Sequence, residues 1–180
     1  MRERFVLAGD MNQKVLQALK FAGWHSNRKV DITNIEDYYK GFGIMLSAKA
    51  KDFFSEYYGI MSQWYIDVFN LEYAADFEFR LFPYPKHYKI DVVDFMYDDA
   101  EYCMKSEEYE SVLKLAPEQN NMVMVGEIGY YYPARVWIGE CGKLYVTHDY
   151  EDDVLIFESL TALIEYEVQG HSFTSIAFKK

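Results

Sequence analysis

The chain has few side chains at the spacings that catalysis or metal binding requires. Its four histidines, His25, His87, His148 and His171, lack the HxxxH spacing that brings two imidazoles onto one helix face. Cys141 is close enough in sequence to His148 to suggest a nucleophile and a base, but no known motif surrounds that thiol. Phosphate-binding glycine loops and GxSxG motifs are also missing from the sequence. We therefore predict that the protein is not an enzyme and has no catalytic residue, cofactor or metal site.

The carboxylates are numerous and unevenly placed. One acidic run contains Asp91, Asp94, Asp98, Asp99 and Glu101. Acid–base catalysis uses carboxylate pairs, but any acidic protein offers such pairs, so we interpret this run as a partner-binding region. A second run, residues 149–153, lacks the central glycine of an EF-hand calcium loop. We expect it to be a solvent-exposed loop before the last helix.

Charge and length restrict the kind of protein. The net charge of −11 disfavours nucleic-acid binding, which needs a basic surface, and favours a basic protein partner. The length of 180 residues fits a single domain covering 1–180. The chain lacks both a signal-peptide pattern and an apolar stretch of the ~20 residues that span a bilayer. With two cysteines and no CxxC motif, we expect reduced thiols in a cytoplasmic protein with no membrane association.

Local patterns predict helices near both ends of the chain. Asp10 followed by Gln13 predicts the start of a helix over residues 10–22, which Gly23 ends. A short strand over 30–32 and a helical turn over 34–40 come next. Ser47 predicts the start of a second helix, which ends at Gly59.

The remaining elements follow from alternation and helical spacing. They are strands over 63–69 and 77–81, a helix over 107–115 with Val112 and Leu115 inward, a strand over 122–128, a hairpin of 134–138 and 143–147 turning at Gly142, a final helix from near Ser159 to Gly170, and an edge strand within 173–178. Because strands cluster in the middle, we predict an α+β single domain whose central, largely antiparallel twisted sheet is flanked by N-terminal and C-terminal helices.

The first predicted helix ends in Gly23-Trp24 and is followed shortly by Arg28 and Val30-Asp31-Ile32. This pattern resembles the start of the SUKH superfamily. It continues through the helix ending at Gly59 and through the segments that contain Gly129, Gly142 and Gly170. One departure is Asn27, where this branch often has glycine. Because asparagine tolerates left-handed backbone geometry, that change is mild.

The resemblance implies a binding protein. Bacterial members of the superfamily are typically cytoplasmic immunity proteins that neutralise a cognate polymorphic toxin, often a nuclease or deaminase, by direct stoichiometric binding. The alternative is a regulatory or scaffold module related to regulators of cell-wall glucan synthesis. The resemblance transfers no catalytic residue. It implies a protein partner, which the acidity suggests is a basic toxin domain, and leaves the oligomeric state open.

Two residues of the N-terminal motif have competing interpretations. Trp24 follows a helix-ending glycine, so it either folds back onto the core or belongs to an interface. Arg28 either holds a carboxylate or backbone carbonyl, or contacts the partner. In both cases we favour the structural role, as we do for the glycines of the motif.

Overall fold

The architecture is described from a computed structural model of the chain. It describes residues 3–6, 8–66, 75–81, 103–116, 121–130, 134–148, 153–168 and 174–177. Within these ranges the described elements are five helices and eight strands. The predicted α+β class with an antiparallel sheet and flanking helices is confirmed.

The helices start where side chains can accept the first free backbone N–H groups. They are α1 (Met11–Phe21), α2 (Thr33–Gly41), α3 (Ala48–Tyr57), α4 (Glu107–Leu115) and α5 (Leu160–Val168). Asp10 and Gln13 form the predicted reciprocal cap of α1, and Ser47 caps α3. Ser106 caps α4, and the Ser159 hydroxyl accepts a hydrogen bond from the Ala162 N–H at the start of α5.

The main sheet has six antiparallel strands in sequential order, β2-β3-β4-β5-β6-β7. Its strands are β2 (Met61–Ile66), β3 (Ala75–Leu81), β4 (Val123–Tyr130), β5 (Ala134–Ile138), β6 (Leu144–Thr147) and β7 (Val154–Phe157). The β5–β6 hairpin turns at Gly142, whose φ of 87° is left-handed, as predicted for this position. A second sheet pairs β1 (Glu3–Val6) with β8 (Thr174–Ala177), and β8 lies alongside β2.

Helices cover both faces of the main sheet. Trp137 and Tyr145 are cross-strand partners on one face, where the Tyr109 ring of α4 stacks on Trp137 with ring centroids 5.3 Å apart. Phe157 lies on the opposite face, where Tyr166 of α5 contacts it with ring centroids 5.3 Å apart. The sheet is therefore a central layer between α4 and α5.

Helix α2 is tied to the sheet at an irregularity in β4. The β4–β5 register shifts between Met124 and Gly126, so one extra residue stands in β4. The buried Tyr39 hydroxyl of α2 donates a hydrogen bond of 2.6 Å to the Met124 carbonyl oxygen at this point. At the bulge, the Tyr39 hydroxyl thus supplies a hydrogen bond to the buried Met124 carbonyl group.

Two local predictions were wrong. Residues 30–32 form no strand, because the Val30 N–H bonds to the Ser55 carbonyl of α3 and the chain then turns into α2. Leu115 is 53% exposed, since the buried positions at this end of α4 are Val112 and Ala116, the residue after the helix. Strand β7, which follows the acidic run 149–153, was not predicted, and residues 149–152 of that run lie outside the described residues.

Candidate protein-binding surface

The Gly23-Trp24 pair ends α1 by a defined hydrogen-bond pattern. The Gly23 N–H bonds to the Lys20 carbonyl at 3.1 Å, and the Trp24 N–H bonds to the Leu19 carbonyl at 2.9 Å. These two bonds make a Schellman motif, which requires a left-handed residue at Gly23, where φ is 103°. Trp24 packs partly buried against the core that contains Leu19. The glycine supplies the backbone geometry and the tryptophan supplies the apolar contact that accompanies it.

Arg28 closes the C-terminal end of α3. Its Nη1 donates to the Glu56 carbonyl oxygen at 2.6 Å, and its Nη2 donates to the Tyr58 carbonyl oxygen at 2.5 Å. The last carbonyls of a helix lack partners within the helix and carry partial negative charge, so a forked cation fits them. Burial lowers the pKa of the Arg28 guanidinium, and the charge of Glu56 opposes that change.

Glu56 joins the same junction through its side chain. Its Oε1 accepts a hydrogen bond of 2.9 Å from Trp24 Nε1. The neighbouring Tyr57 is half-buried, and burial together with the Glu56 charge raises the pKa of its phenol. The junction therefore connects the end of α1 to the end of α3 by polar contacts.

A further set of contacts connects α3 to α2. Asn34 Nδ2 of α2 donates a hydrogen bond of 2.6 Å to the Tyr58 hydroxyl. The Asp31 carboxylate accepts hydrogen bonds from the Thr33 hydroxyl at 2.6 Å and the Thr33 N–H at 3.0 Å, which hold its pKa below the usual range. Asp31, counted as part of a strand by the sequence analysis, instead helps to start α2.

A shallow depression lies between α2 and α3. Its volume is about 220 Å³, and it is lined by Glu36, Asp37, Lys40, Ile44, Met45, Leu46 and Lys51. Pockets for small ligands usually measure ~300–1,000 Å³ and are mainly apolar. Here the lining mixes both charge signs, with an ion pair of 2.5 Å between Lys51 and Glu36. This depression is better suited to contact with a protein surface than to holding a small molecule.

The face of the sheet under α4 carries charged groups. Arg135 of β5 forms an ion pair of 2.6 Å with Glu108 of α4, and both side chains are about one-fifth exposed at 20% and 23%. The neighbour of Arg135 on β4 is Glu127, which is only 7% exposed. In the register Glu127 also stands opposite Arg80 of β3. Residues of both charge types thus occupy paired register positions on three neighbouring strands.

Strand β7 forms an edge of the main sheet and was not predicted. It reads Val-Leu-Ile-Phe, and β6 is its single neighbour among the described strands. Ile156 is 48% exposed, and Tyr166 beside Phe157 is 49% exposed. The signal in the sequence was the four-residue apolar run between the acidic residues 149–153 and Glu158. A run of this length is equally consistent with the start of the last helix, which is why it was missed.

The predicted partner-binding residues Asp91, Asp94, Asp98, Asp99 and Glu101 all lie outside the described residues, as does Gly170. Among the other motif residues, Gly59 follows α3 with a left-handed φ of 72°. Gly129 pairs with Glu78 across β4 and β3. Asn27 has φ of 64°, the left-handed geometry expected where related sequences have glycine.

Of the residues weighed for catalysis, Cys141 and His148 lie in the described part of the chain, whereas His87 and His171 lie outside it. Cys141 is exposed in the β5–β6 turn and Cys103 is buried, and the two form no disulfide bond. His148 Nε2 lies 3.7 Å from Glu167 Oε1 of α5. Within the described parts of the chain, no group of three or more His, Cys, Asp and Glu side chains is placed to hold a metal ion. Over the same residues, no helix is long and apolar enough to cross a membrane.

Comparison with known proteins identifies the family. The family model described as SUKH-3 immunity protein matches residues 11–166, which run from the start of α1 into α5. No curated protein and no solved structure gives a significant match. The match covers most of the chain, including the Gly23-Trp24 motif and the Arg28 junction. The chain therefore belongs to the SUKH-3 immunity protein family.

Proposed function

We propose that this protein is a non-catalytic immunity protein that neutralises a cognate polymorphic toxin by direct stoichiometric binding. The observation that carries the proposal is the SUKH-3 immunity match over residues 11–166. The described residues support it by exposing apolar side chains that suit protein contact, among them Met45 at 65% and Ile156 at 48%.

The partner that fits best is a basic toxin domain. The chain carries a net charge of −11, and opposite charges steer two proteins into fast encounter. Nucleases and deaminases that act on nucleic acids carry basic surfaces, so a toxin of either kind suits the charge. In this proposal the protein occupies such a surface itself and needs no affinity for nucleic acid.

We also propose which residues attract the toxin, how much of the chain forms the domain and where in the cell the protein acts. Asp91, Asp94, Asp98, Asp99 and Glu101 are proposed to supply the acidic surface that attracts the toxin, and the whole of 1–180 is proposed to act as one domain. A toxin of this kind must be neutralised where its substrate lies, so we propose that the protein acts in the cytoplasm.

Co-expression tests the proposal directly. The probe is the toxin domain encoded beside this chain, produced in cells with and without the protein. We expect survival only when both are present, and isothermal titration with catalytically inactivated toxin should give a fixed, whole-number stoichiometry. If the cells die although the protein is folded and abundant, the proposal is contradicted.

A further inference from the structure

One edge of the main sheet is open among the described residues. The β2 edge lies alongside β8, whereas β7 has β6 on one side and no described strand on the other. We propose that β7 is a docking edge onto which an extended, basic segment of the toxin adds as a further strand. This inference rests on the proposed function and deepens it by naming the surface and the chemistry of the segment that binds there.

The hairpin turn determines which β7 groups face the open side. The Gly139 N–H bonds to the Lys143 carbonyl, and the Gly142 N–H bonds to the Gly139 carbonyl. The first bond makes Gly139 and Lys143 a hydrogen-bonded pair. In antiparallel strands hydrogen-bonded and non-hydrogen-bonded pairs alternate, so every second residue after Lys143 bonds to β5. These residues are Tyr145 and Thr147.

The same alternation continues across β6 into β7. Leu144 and Val146 direct their backbone groups toward β7, where their partners are Phe157 and Leu155. The N–H and C=O groups of Val154 and Ile156 therefore point away from β6. Among the described residues no strand pairs with these two donors and two acceptors, which a strand arriving at this edge could therefore use.

The composition of β7 lacks the usual protection of an edge strand. Exposed edges are normally blunted by lysine, proline or inward-pointing charge, because an unprotected edge pairs with other chains. The strand Val-Leu-Ile-Phe carries none of these. Its Ile156 side chain is 48% exposed on one face, and Tyr166 beside Phe157 is 49% exposed on the other. An arriving strand would find an apolar side chain on each face.

The charges around β7 select the binding segment. Residues 149–158 contain five carboxylates and no lysine or arginine. Asp153 is exposed at the start of the strand, and Glu158 at its end is 77% exposed although it pairs with Lys143 at 2.7 Å. A second copy would bring like charges together at both ends of the strand, which disfavours pairing. A segment rich in lysine and arginine would instead be attracted at both ends.

Hydrogen exchange measured by NMR tests the geometry, with catalytically inactivated toxin from the adjacent coding region as the probe. In the free protein the outward amides of Val154 and Ile156 should exchange faster than the inward amides of Leu155 and Phe157. Binding should slow the outward pair at least about tenfold. A complex that forms without this protection overturns the docking edge and leaves the proposed function intact. Failure of the folded protein to bind at all overturns both.

Two substitutions at one exposed position test the charge. Ile156→Lys and Ile156→Glu both remove the apolar contact, but a basic segment repels only the lysine. We expect Ile156→Lys to weaken binding at least about tenfold and to do so more than Ile156→Glu. The matched control is Leu115→Lys, a similar change at an apolar side chain 53% exposed at the end of α4, which should leave binding unchanged.

A third variant tests the backbone. Val154→Pro removes one outward donor at the first residue of the strand, where proline is tolerated, and should also weaken binding about tenfold. Equal binding by all variants would overturn the inference. So would a greater loss with glutamate than with lysine, or dimerisation of the free protein that Ile156→Lys abolishes.

Discussion

Arg28 and Tyr58 lie 30 positions apart in the chain, yet Arg28 Nη2 donates a hydrogen bond of 2.5 Å to the Tyr58 carbonyl oxygen. With its second bond, to the Glu56 carbonyl, the guanidinium fastens the connection after α1 to the end of α3. This contact gives the arginine of the N-terminal motif a physical task that involves no partner.

Replacing Arg28 should destabilise the fold without acting through the proposed binding surface. Arg28→Ala leaves two helix-end carbonyls without their donor, so we expect a loss of about 1–3 kcal/mol in the free energy of unfolding. Arg28→Lys should recover only part of this, because an ammonium group cannot reproduce the fork. Urea unfolding measures the change, and Lys29→Ala at the exposed neighbour is the control. A loss no larger than that of the control would contradict the assignment.

Gly23 should be required for its backbone conformation and not for lack of space. A Cβ at Gly23 would meet nothing within 4 Å, but φ is 103°. We therefore expect Gly23→Ala to cost about 1–2 kcal/mol by strain alone. Gly41 also has open space and is not left-handed, so Gly41→Ala is a matched control that should be neutral or slightly stabilising. Equal thermal stabilities for the two variants would show the explanation to be wrong.

Loss of the phenol proton of Tyr109 should make the protein less stable at alkaline pH. Burial raises the pKa of its phenol, and its hydroxyl donates a hydrogen bond of 3.2 Å to the Met122 carbonyl. The unfolded chain loses this proton first, near pH about 10. The contribution of the Tyr109 phenol to stability is therefore fully present below that pH. It is lost as the pH rises through the higher folded-state pKa.

Unfolding measured between pH 8 and 11, a range set by the ordinary tyrosine pKa of about 10, tests this. Tyr109→Phe should reduce the alkaline loss of stability, whereas Tyr166→Phe at an exposed position should have less effect. If the free energy of unfolding falls with pH equally steeply in the wild type and in Tyr109→Phe, this explanation is wrong.

The Glu108–Arg135 ion pair should contribute more to the free energy of unfolding than an exposed ion pair of similar length. Its side chains are 23% and 20% exposed, compared with 77% and 43% in the Glu158–Lys143 pair. Less water screens the first pair, so a double-mutant cycle should give a coupling of about 1–3 kcal/mol. The second pair should give about 0.2–1 kcal/mol. Equal couplings would mean that burial of the first pair contributes nothing.

The proposed acidic surface should act mainly on the association rate. Reversing the charges of Asp94, Asp98 and Asp99 to lysine should slow association with the inactivated toxin by about tenfold or more, with a smaller effect on dissociation. Added salt should slow the wild type and reduce the difference between the two proteins. Stopped-flow kinetics measures both rates. Unchanged association in both experiments would remove this region from the encounter surface.

The elements with strong local signals were predicted closely. Helix α4 has the predicted bounds, and α1 has the predicted reciprocal cap of Asp10 and Gln13. The β5–β6 hairpin turns where Gly142 allows it. These features depend on side chains within a few positions of each other, and such interactions can be read from a linear sequence.

The misplaced elements depend on distant parts of the chain. The alternation of Val30, Asp31 and Ile32 is typical of a strand. In the structure, however, the Val30 N–H donates its hydrogen bond to the Ser55 carbonyl and not to a neighbouring strand. The four residues of β7 become a strand because β6 is there to pair with them. Likewise, β1 forms only by pairing with β8 from the other end of the chain.

By itself the sequence determined the α+β class, the main helix boundaries, the charge and the family resemblance, because composition and short-range spacing record these. Only the tertiary structure decided that Arg28 holds the end of α3 and that Val154 and Ile156 direct their backbone groups away from β6. Both depend on which distant segments meet. Contacts between residues far apart in the chain, and the alternation of hydrogen bonds across three strands, exist only after the chain has folded.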